Sequence, residues 1–145
     1  MAANKEAFVK LNGVRVFFAT ASNNVPYRGI NTLLIDPFAC SVTTENHYDT
    51  FANSNAATQM KTYLDGLADN SLLVVVSCDE PSSRLSAAQS TLQAWGADVS
   101  DVGYRGAFTF VAKKGAPGMT MLDKVLTEAA SGTTQPFVNA IVQGT

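Results

Sequence analysis

Two charged side chains, Asp79 and Arg105, stand in polar loops directly beside apolar segments. Asp79 follows the run Leu72–Cys78, and Arg105 lies in the turn formed by residues 103–106, just before Phe108. A carboxylate accepts hydrogen bonds from neighbouring hydroxyls, and a guanidinium donates several in one plane. The pair therefore suits a neutral ligand rich in hydroxyls, such as a sugar, if the fold brings the two loops together.

Four further side chains are weaker candidates for the same site. Glu80 follows Asp79, Arg28 precedes a second apolar segment, and Tyr104 offers an aromatic face to the C–H groups of a sugar ring, as does Trp95. The competing interpretation is structural. An internal ion pair would hold the two loops together, with Arg28 and Glu80 as braces, and the residue types alone favour it.

Catalytic residues are sparse in this sequence. The one histidine, His47, stands in a polar stretch and is expected at the surface or at a sheet edge. Motifs of serine hydrolases, phosphate-binding loops, dinucleotide sites and zinc sites are absent. Cys78 is better explained as a small apolar strand residue than as a nucleophile. We expect no enzyme activity, no catalytic residue, no metal site and no cofactor, with a calcium ion at the sugar site left open.

The length and charge of the chain limit its class and its partners. Its 145 residues suffice for one core but not comfortably for two. With a net charge of −2 and scattered basic residues, the sequence predicts no basic surface for nucleic acid or anionic lipid. No apolar run approaches the ~20 residues of a membrane span. We expect a single domain over residues 1–145, with its core over about 14–117 and without nucleic acid or membrane insertion.

Short β-branched and aromatic runs predict strands at 14–20, 30–35, 72–78 and 108–111, with a hairpin return through Cys40 to 47–51. Apolar residues at helical spacing predict two helices. One runs from Ala56 to Leu67. The other carries Leu85, Ala88, Leu92 and Trp95, begins at a cap by Ser82 or Ser83, and ends at Gly96.

This order of elements predicts an α/β fold, a mixed β-sheet with helices packed on its faces. The C-terminal part, 118–145, is expected to add a short helix capped by Thr120, with Met121 to Ala129 as its body. Residues 137–142 are expected to form an edge strand or to pack on a partner.

The order of the motifs also resembles a known family. The sequence has Arg28-Gly-Ile-Asn, an apolar strand ending in Asp79-Glu80, an amphipathic helix, Gly103-Tyr-Arg105, an aromatic strand and Lys114-Gly115. Over roughly residues 14–117 it resembles the ILEI domain, named after the interleukin-like inducer of epithelial–mesenchymal transition. It is also similar to the sugar-binding stem domain of the enzyme that adds N-acetylglucosamine to O-mannose. In that stem, the sugar-contacting residues correspond to Asp79 and Arg105.

The resemblance implies a secreted, extracellular lectin for a terminal β-linked galactose or N-acetylglucosamine on glycans or glycoconjugates. Because a single shallow sugar site is weak, a homodimer or higher oligomer is expected. The alternative is a secreted cytokine-like or protein-interaction domain without a sugar site, since cytokine-like members carry the same two residue types.

The cysteines differ from the family's pattern, because Val111 and Ala112 stand before the Lys-Gly pair. Cys78 is expected to be buried at the end of its strand. A bridge between Cys40 and Cys78 is left open.

Overall fold

The computed structural model describes residues 7–19 and 27–127. In chain order the elements are β1 (Ala7–Leu11), β2 (Val14–Ala19), β3 (Gly29–Asp36), β4 (Ser41–Tyr48), α1 (Ala56–Asp65), β5 (Leu72–Cys78), a 3-10 turn (Ser86–Ala88), α2 (Gln89–Ala94), β6 (Ala107–Lys113), a second 3-10 turn (Pro117–Met119) and β7 (Met121–Val125). The strands predicted at 14–20, 30–35, 72–78 and 108–111 are confirmed, and the hairpin return forms β4.

The described strands form two sheets, and every pair of neighbours is antiparallel. β1 and β2 make a two-stranded hairpin, and the larger sheet has the order β4-β3-β5-β6-β7. The fold is therefore mostly β, and the predicted α/β class holds only in part, because helices do pack on the sheet but its described strands are all antiparallel and not mixed. After α2 the chain runs back along the sheet through the buried residues Ala97, Val99 and Val102, so β6 begins at the edge where β5 ends.

Two hydrophobic cores lie on opposite faces of the large sheet. One joins α1 and α2 to sheet residues such as Val75 and Phe108. The other joins the β1–β2 hairpin, through Phe17, to Leu33 and Val76. Among the described residues, the helices thus cover one face of the sheet, and the hairpin covers the other.

The β1–β2 hairpin turns at Asn12-Gly13, where both residues have positive φ, 49° and 77°. Such a two-residue turn matches the twist of antiparallel strands, and Asn-Gly is its preferred sequence. β1 was not predicted, although this dipeptide beside the predicted first strand was a signal for it.

Helix α1 carries the predicted apolar face, with Met60 and Leu64 fully buried. Its C-terminus is held by a side chain from a distant part of the chain. The Nζ atom of Lys114 donates hydrogen bonds to the carbonyl oxygens of Leu64, Asp65 and Leu67. A cation at this position satisfies the last carbonyls and complements the helix dipole. The Lys114-Gly115 motif thus has a structural role.

Two predictions about helices need correction. The helical part of the second segment begins at Ser86, without a side-chain cap, because Ser82 and Ser83 bind the Glu80 carboxylate instead. It ends as predicted at Gly96, whose φ is +90°. The short helix expected after Thr120 is instead the strand β7, which pairs with β6. Residues 137–142 lie outside the described residues.

Cys78 is fully buried, as predicted. It pairs opposite Gly29 at one end of β3, whereas Cys40 lies in the turn beyond the other end. Strands rise about 3.3 Å per residue, so the length of β3 separates the two cysteines by roughly 20 Å or more. A disulfide needs Cα atoms within about 7 Å, and the open alternative of a Cys40–Cys78 bridge is therefore excluded. Among the described residues, no helix has the length and hydropathy needed to cross a membrane.

Candidate functional site

Antiparallel pairing brings the predicted site residues to one edge of the large sheet. Gly29, at the start of β3, pairs with Cys78 at the end of β5, and Ile30 pairs with Tyr48 at the end of β4. β6 begins at the same edge. The residues adjoining these strand ends are Arg28, Asp49, Asp79, Glu80, Tyr104 and Arg105. A parallel β6 would have placed Arg105 at the opposite edge.

Asp79 and Arg105 face each other at this edge. The Nη1 atom of Arg105 lies 3.8 Å from Oδ1 of Asp79, and the two side chains are 30% and 8% exposed. Both residues have left-handed backbone conformations, with φ of +63° for Asp79 and +56° for Arg105. This conformation costs a residue with a Cβ about 1–2 kcal/mol, and such strain concentrates at functional sites.

Glu80 holds the backbone of this site in place. Its carboxylate accepts hydrogen bonds from the backbone N–H and hydroxyl groups of Ser82 and Ser83 and from the backbone N–H of Arg105, the last at 3.0 Å. Burial would raise the pKa of Glu80, but these hydrogen bonds outweigh it and hold the pKa below its ordinary value. Because its oxygens are engaged within the protein, Glu80 braces the site.

The turn that carries Arg105 is tied to the end of β7. The backbone N–H of Gly103 donates to the carbonyl oxygen of Leu126 at 2.6 Å, and that of Gly106 donates to the carbonyl oxygen of Gly103 at 2.9 Å. A Cβ on Gly106 would lie 2.6 Å from the Leu126 carbonyl oxygen. Only glycine fits this approach, so the turn has a fixed position under the Arg105 side chain.

Arg28 forms a close ion pair with Asp49, a residue that the sequence interpretation missed. Nη2 of Arg28 lies 2.8 Å from Oδ2 of Asp49, and its Nε lies 3.2 Å from both carboxylate oxygens. The guanidinium also stacks on Phe51, 4.8 Å from the ring centroid. The hydrogen bond to Asp49 raises the pKa of Arg28. Burial opposes ionisation of Asp49, yet its bonds from Arg28 and nearby backbone N–H groups lower its pKa overall.

Tyr104 is an exposed aromatic side chain beside Arg105. It is 58% exposed, and the guanidinium carbon of Arg105 lies 5.7 Å from its ring centroid. Trp95, the alternative aromatic face, is only 4% exposed and belongs to the core beneath the helices. The suggestion that Trp95 faces a ligand is therefore wrong.

His47 lies on the edge strand β4, as expected, and is exposed. Its Nδ1 atom lies 2.7 Å from Oδ1 of Asn31, and its Nε2 atom lies 3.1 Å from the Glu45 carboxylate. Strand β3 separates it from the strand that carries Cys78. Within residues 7–19 and 27–127, no group of three or more His, Cys, Asp or Glu side chains is arranged to hold a metal ion.

The fold defines a class: a five-stranded antiparallel sheet with helices on one face, a hairpin on the other and a polar cluster at one edge. A family model described as Interleukin-like EMT inducer (ILEI) matches residues 28–116. This match covers more than half of the chain and every predicted site residue. The chain therefore belongs to the ILEI family, as the order of its motifs predicted. A comparison with curated proteins found no match.

Proposed function

We propose that this chain is a sugar-binding protein, a lectin that recognises a terminal β-linked galactose or N-acetylglucosamine without catalysis. The observation that carries the proposal is the juxtaposition of Asp79 and Arg105 at one sheet edge, with Nη1 and Oδ1 3.8 Å apart. Together they present an acceptor and a planar donor within the span of one sugar ring. Tyr104 supplies an exposed ring beside them.

The support beyond this pair comes from its preorganisation. Glu80 anchors the backbone of Arg105. Asp79 and Arg105 both have a left-handed backbone conformation, which residues with a Cβ rarely adopt. A site fixed before binding loses less conformational entropy when a weak ligand arrives. The resemblance of Asp79 and Arg105 to the sugar-contacting pair of the transferase stem domain also supports sugar binding.

The proposal includes a multivalent, extracellular protein. One shallow site with a few charge-assisted hydrogen bonds gives weak affinity, so useful binding to a glycan-coated surface needs several sites on one particle. We therefore propose a homodimer or higher oligomer that is secreted and meets glycoconjugates outside the cell. Sedimentation velocity would test the assembly directly.

Red-cell agglutination, with inhibition by a panel of simple sugars, and a glycan array test the function. We expect galactose or N-acetylglucosamine to inhibit, and Arg105→Gln to lose binding. Arg84→Gln is the matched control, because Arg84 is an exposed arginine in the loop after Glu80, and its guanidinium donates to the backbone oxygen of Phe51 and not to a carboxylate of the described residues. Folded protein that binds no glycan above background would refute the proposal and favour a cytokine-like or protein-interaction domain.

A further inference from the structure

The outer face of the β1–β2 hairpin is an exposed surface that the sugar site does not use. We define it by Phe8, Lys10, Arg15 and Phe18. Phe8 pairs opposite Phe18, and Lys10 pairs opposite Arg15. The phenylalanines are 46% and 36% exposed, whereas Phe17, on the inner face, is buried against the large sheet.

A β-bulge places Arg15 on this outer face. Side chains alternate along a strand, so regular spacing from the buried Phe17 would turn Arg15 inward. The register shifts between Val9 and Lys10, which leaves Val16 as an extra residue and sets Arg15 opposite Lys10. Bulges commonly re-aim a side chain in this way.

The result is an arrangement that is unfavourable for the isolated hairpin. Like charges directly opposite each other on neighbouring strands are destabilising. Among residues 7–19 and 27–127, no carboxylate lies within ion-pair distance of Lys10 or Arg15. Their cations instead lie over aromatic rings, with the Arg15 guanidinium carbon 4.2 Å from the Phe18 centroid and Lys10 Nζ 5.8 Å from that of Phe8.

We propose that the outer face is a docking surface for an acidic peptide segment of a protein partner. Charge complementarity is the argument. The described hairpin carries two positive charges and no negative one, in a chain whose net charge is −2. A carboxylate between Lys10 and Arg15 would relieve their repulsion. Arginine and aromatic side chains are also the types enriched at protein interfaces.

An anionic membrane fits this surface less well. Each basic residue contributes only about 1 kcal/mol at such a membrane, and two of them give weak attachment. The surface is also independent of the proposed sugar site, because the hairpin packs on the opposite face from the helices and the Asp79 and Arg105 loops lie at the sheet edge.

The test uses the full chain and a short fluorescein-labelled peptide that alternates glutamate with valine, with the glutamine version as its control. Fluorescence anisotropy should show binding of the glutamate peptide that weakens with salt. We expect Arg15→Gln to weaken it about fivefold, the upper range for one exposed ion pair. The double variant K10E/R15E should lose it entirely, and Arg105→Gln should bind as the wild type does.

K61E/K113E is the matched control, because it changes net charge equally at two other surface lysines and should still bind the peptide. Circular dichroism verifies that each variant is folded, and Arg15→Gln serves if the double variant is not. Equal binding of the glutamate and glutamine peptides would overturn the proposal. So would binding only to vesicles made of equal parts phosphatidylcholine and phosphatidylserine, or equal weakening by K61E/K113E.

Discussion

Two arginine–aspartate pairs lie at the same edge of the sheet, and they differ in how closely the partners are held. Arg28 and Asp49 approach to 2.8 Å with three hydrogen bonds, and Phe51 covers the guanidinium. Arg105 and Asp79 approach only to 3.8 Å, and both have left-handed backbones. We refer to them as the close pair and the wide pair.

Residue type alone does not separate a structural brace from the proposed binding site. In the close pair, Asp49 engages two nitrogen atoms of its arginine, so the pair is built to hold the start of β3 against the end of β4. In the wide pair the arginine keeps about a third of its side chain exposed on a backbone that Glu80 anchors. Substitutions at the two pairs and at the residues that support them would test this division, and they are expected to lower the free energy of unfolding by amounts that decrease from Gly29→Ala to Arg105→Gln.

The largest effect is expected from Gly29→Ala, beside the close pair. Gly29 has φ +101°, and a Cβ there would lie 2.2 Å from the carbonyl oxygen of Tyr48. Strands β3 and β4 would have to move apart, so we expect a loss of about 4 kcal/mol in urea unfolding. Gly66→Ala is the control, since its Cβ meets only ordinary contacts and should change stability by less than about 1 kcal/mol. A loss below about 1 kcal/mol for Gly29→Ala would show that this edge is not tightly held.

Glu80→Gln should cause the next largest loss in the free energy of unfolding. It should also disturb the wide pair, because Glu80 holds the backbone of Arg105 in place. The amide nitrogen cannot accept the hydrogen bonds that the buried carboxylate accepts, which costs about 3 kcal/mol. Sugar binding should fall as well, because the Arg105 backbone loses its anchor. Asp69→Asn, at an exposed position, is the control and should leave both properties unchanged. Full stability with lost binding would mean that Glu80 itself contacts the ligand.

The carboxylate of Glu80 should also make the stability of the fold depend on pH. The pKa of Glu80 lies below its ordinary value of 4.5 in the folded protein. The unfolded chain therefore takes up the proton first, so this stabilisation is present above about pH 4.5 and is lost as the pH falls through the folded-state pKa. Thermal midpoints measured across this range should converge for the wild type and Glu80→Gln at low pH. A constant difference between them would contradict the assignment.

Breaking the close pair should have a moderate effect. We expect Asp49→Asn to cost about 1–2 kcal/mol, because both side chains are about a quarter exposed and solvent screens the pair. Sugar binding should stay within about twofold of the wild type. A double-mutant cycle of Arg28→Gln and Asp49→Asn should give a coupling energy of at least about 0.5 kcal/mol. Loss of sugar binding in Asp49→Asn would show that the close pair is part of the sugar site.

The smallest change in stability is expected from Arg105→Gln, below about 0.5 kcal/mol, because its side chain is partly solvated. Loss of charge-assisted hydrogen bonds worth about 1.5–3 kcal/mol should nevertheless weaken sugar binding tenfold or more. Calorimetry and binding should be measured on the same sample. A large drop in midpoint would support the internal ion pair instead. Asp79→Asn is a poorer test, since Asp79 is only 6% exposed and its replacement should disturb packing too.

The sequence predicted the inner strands and α1 well, because their patterns are local. An unbroken apolar run such as Leu72–Cys78 fits a strand buried on both faces. β7 was mistaken for a helix, since Met121, Leu122 and Val125 also fit helical spacing, and only pairing with β6 decides between the two.

The direction of β6 and the geometry of the site depend on contacts between distant residues. The spacing of residue types along the sequence does not reveal these contacts. The return of residues 97–106 along the sheet makes β6 antiparallel, and this return puts Arg105 beside Asp79. The prediction that these two loops meet was right, although it assumed that a unit of two strands and one helix brings them together. Asp49 was missed because its partner Arg28 is recognised only once β3 and β4 pair in register.

The bond from Lys114 to the end of α1 has a consequence for how the chain folds as it is synthesised. Helices as short as α1 are marginal alone, and its last carbonyl oxygens find their partner almost fifty residues later. By the time Lys114 emerges, the polypeptide between them includes β5 and α2. We therefore expect α1 to become stable only when β6 joins the sheet, so that helix and strand form one cooperative unit after residue 114 has been synthesised.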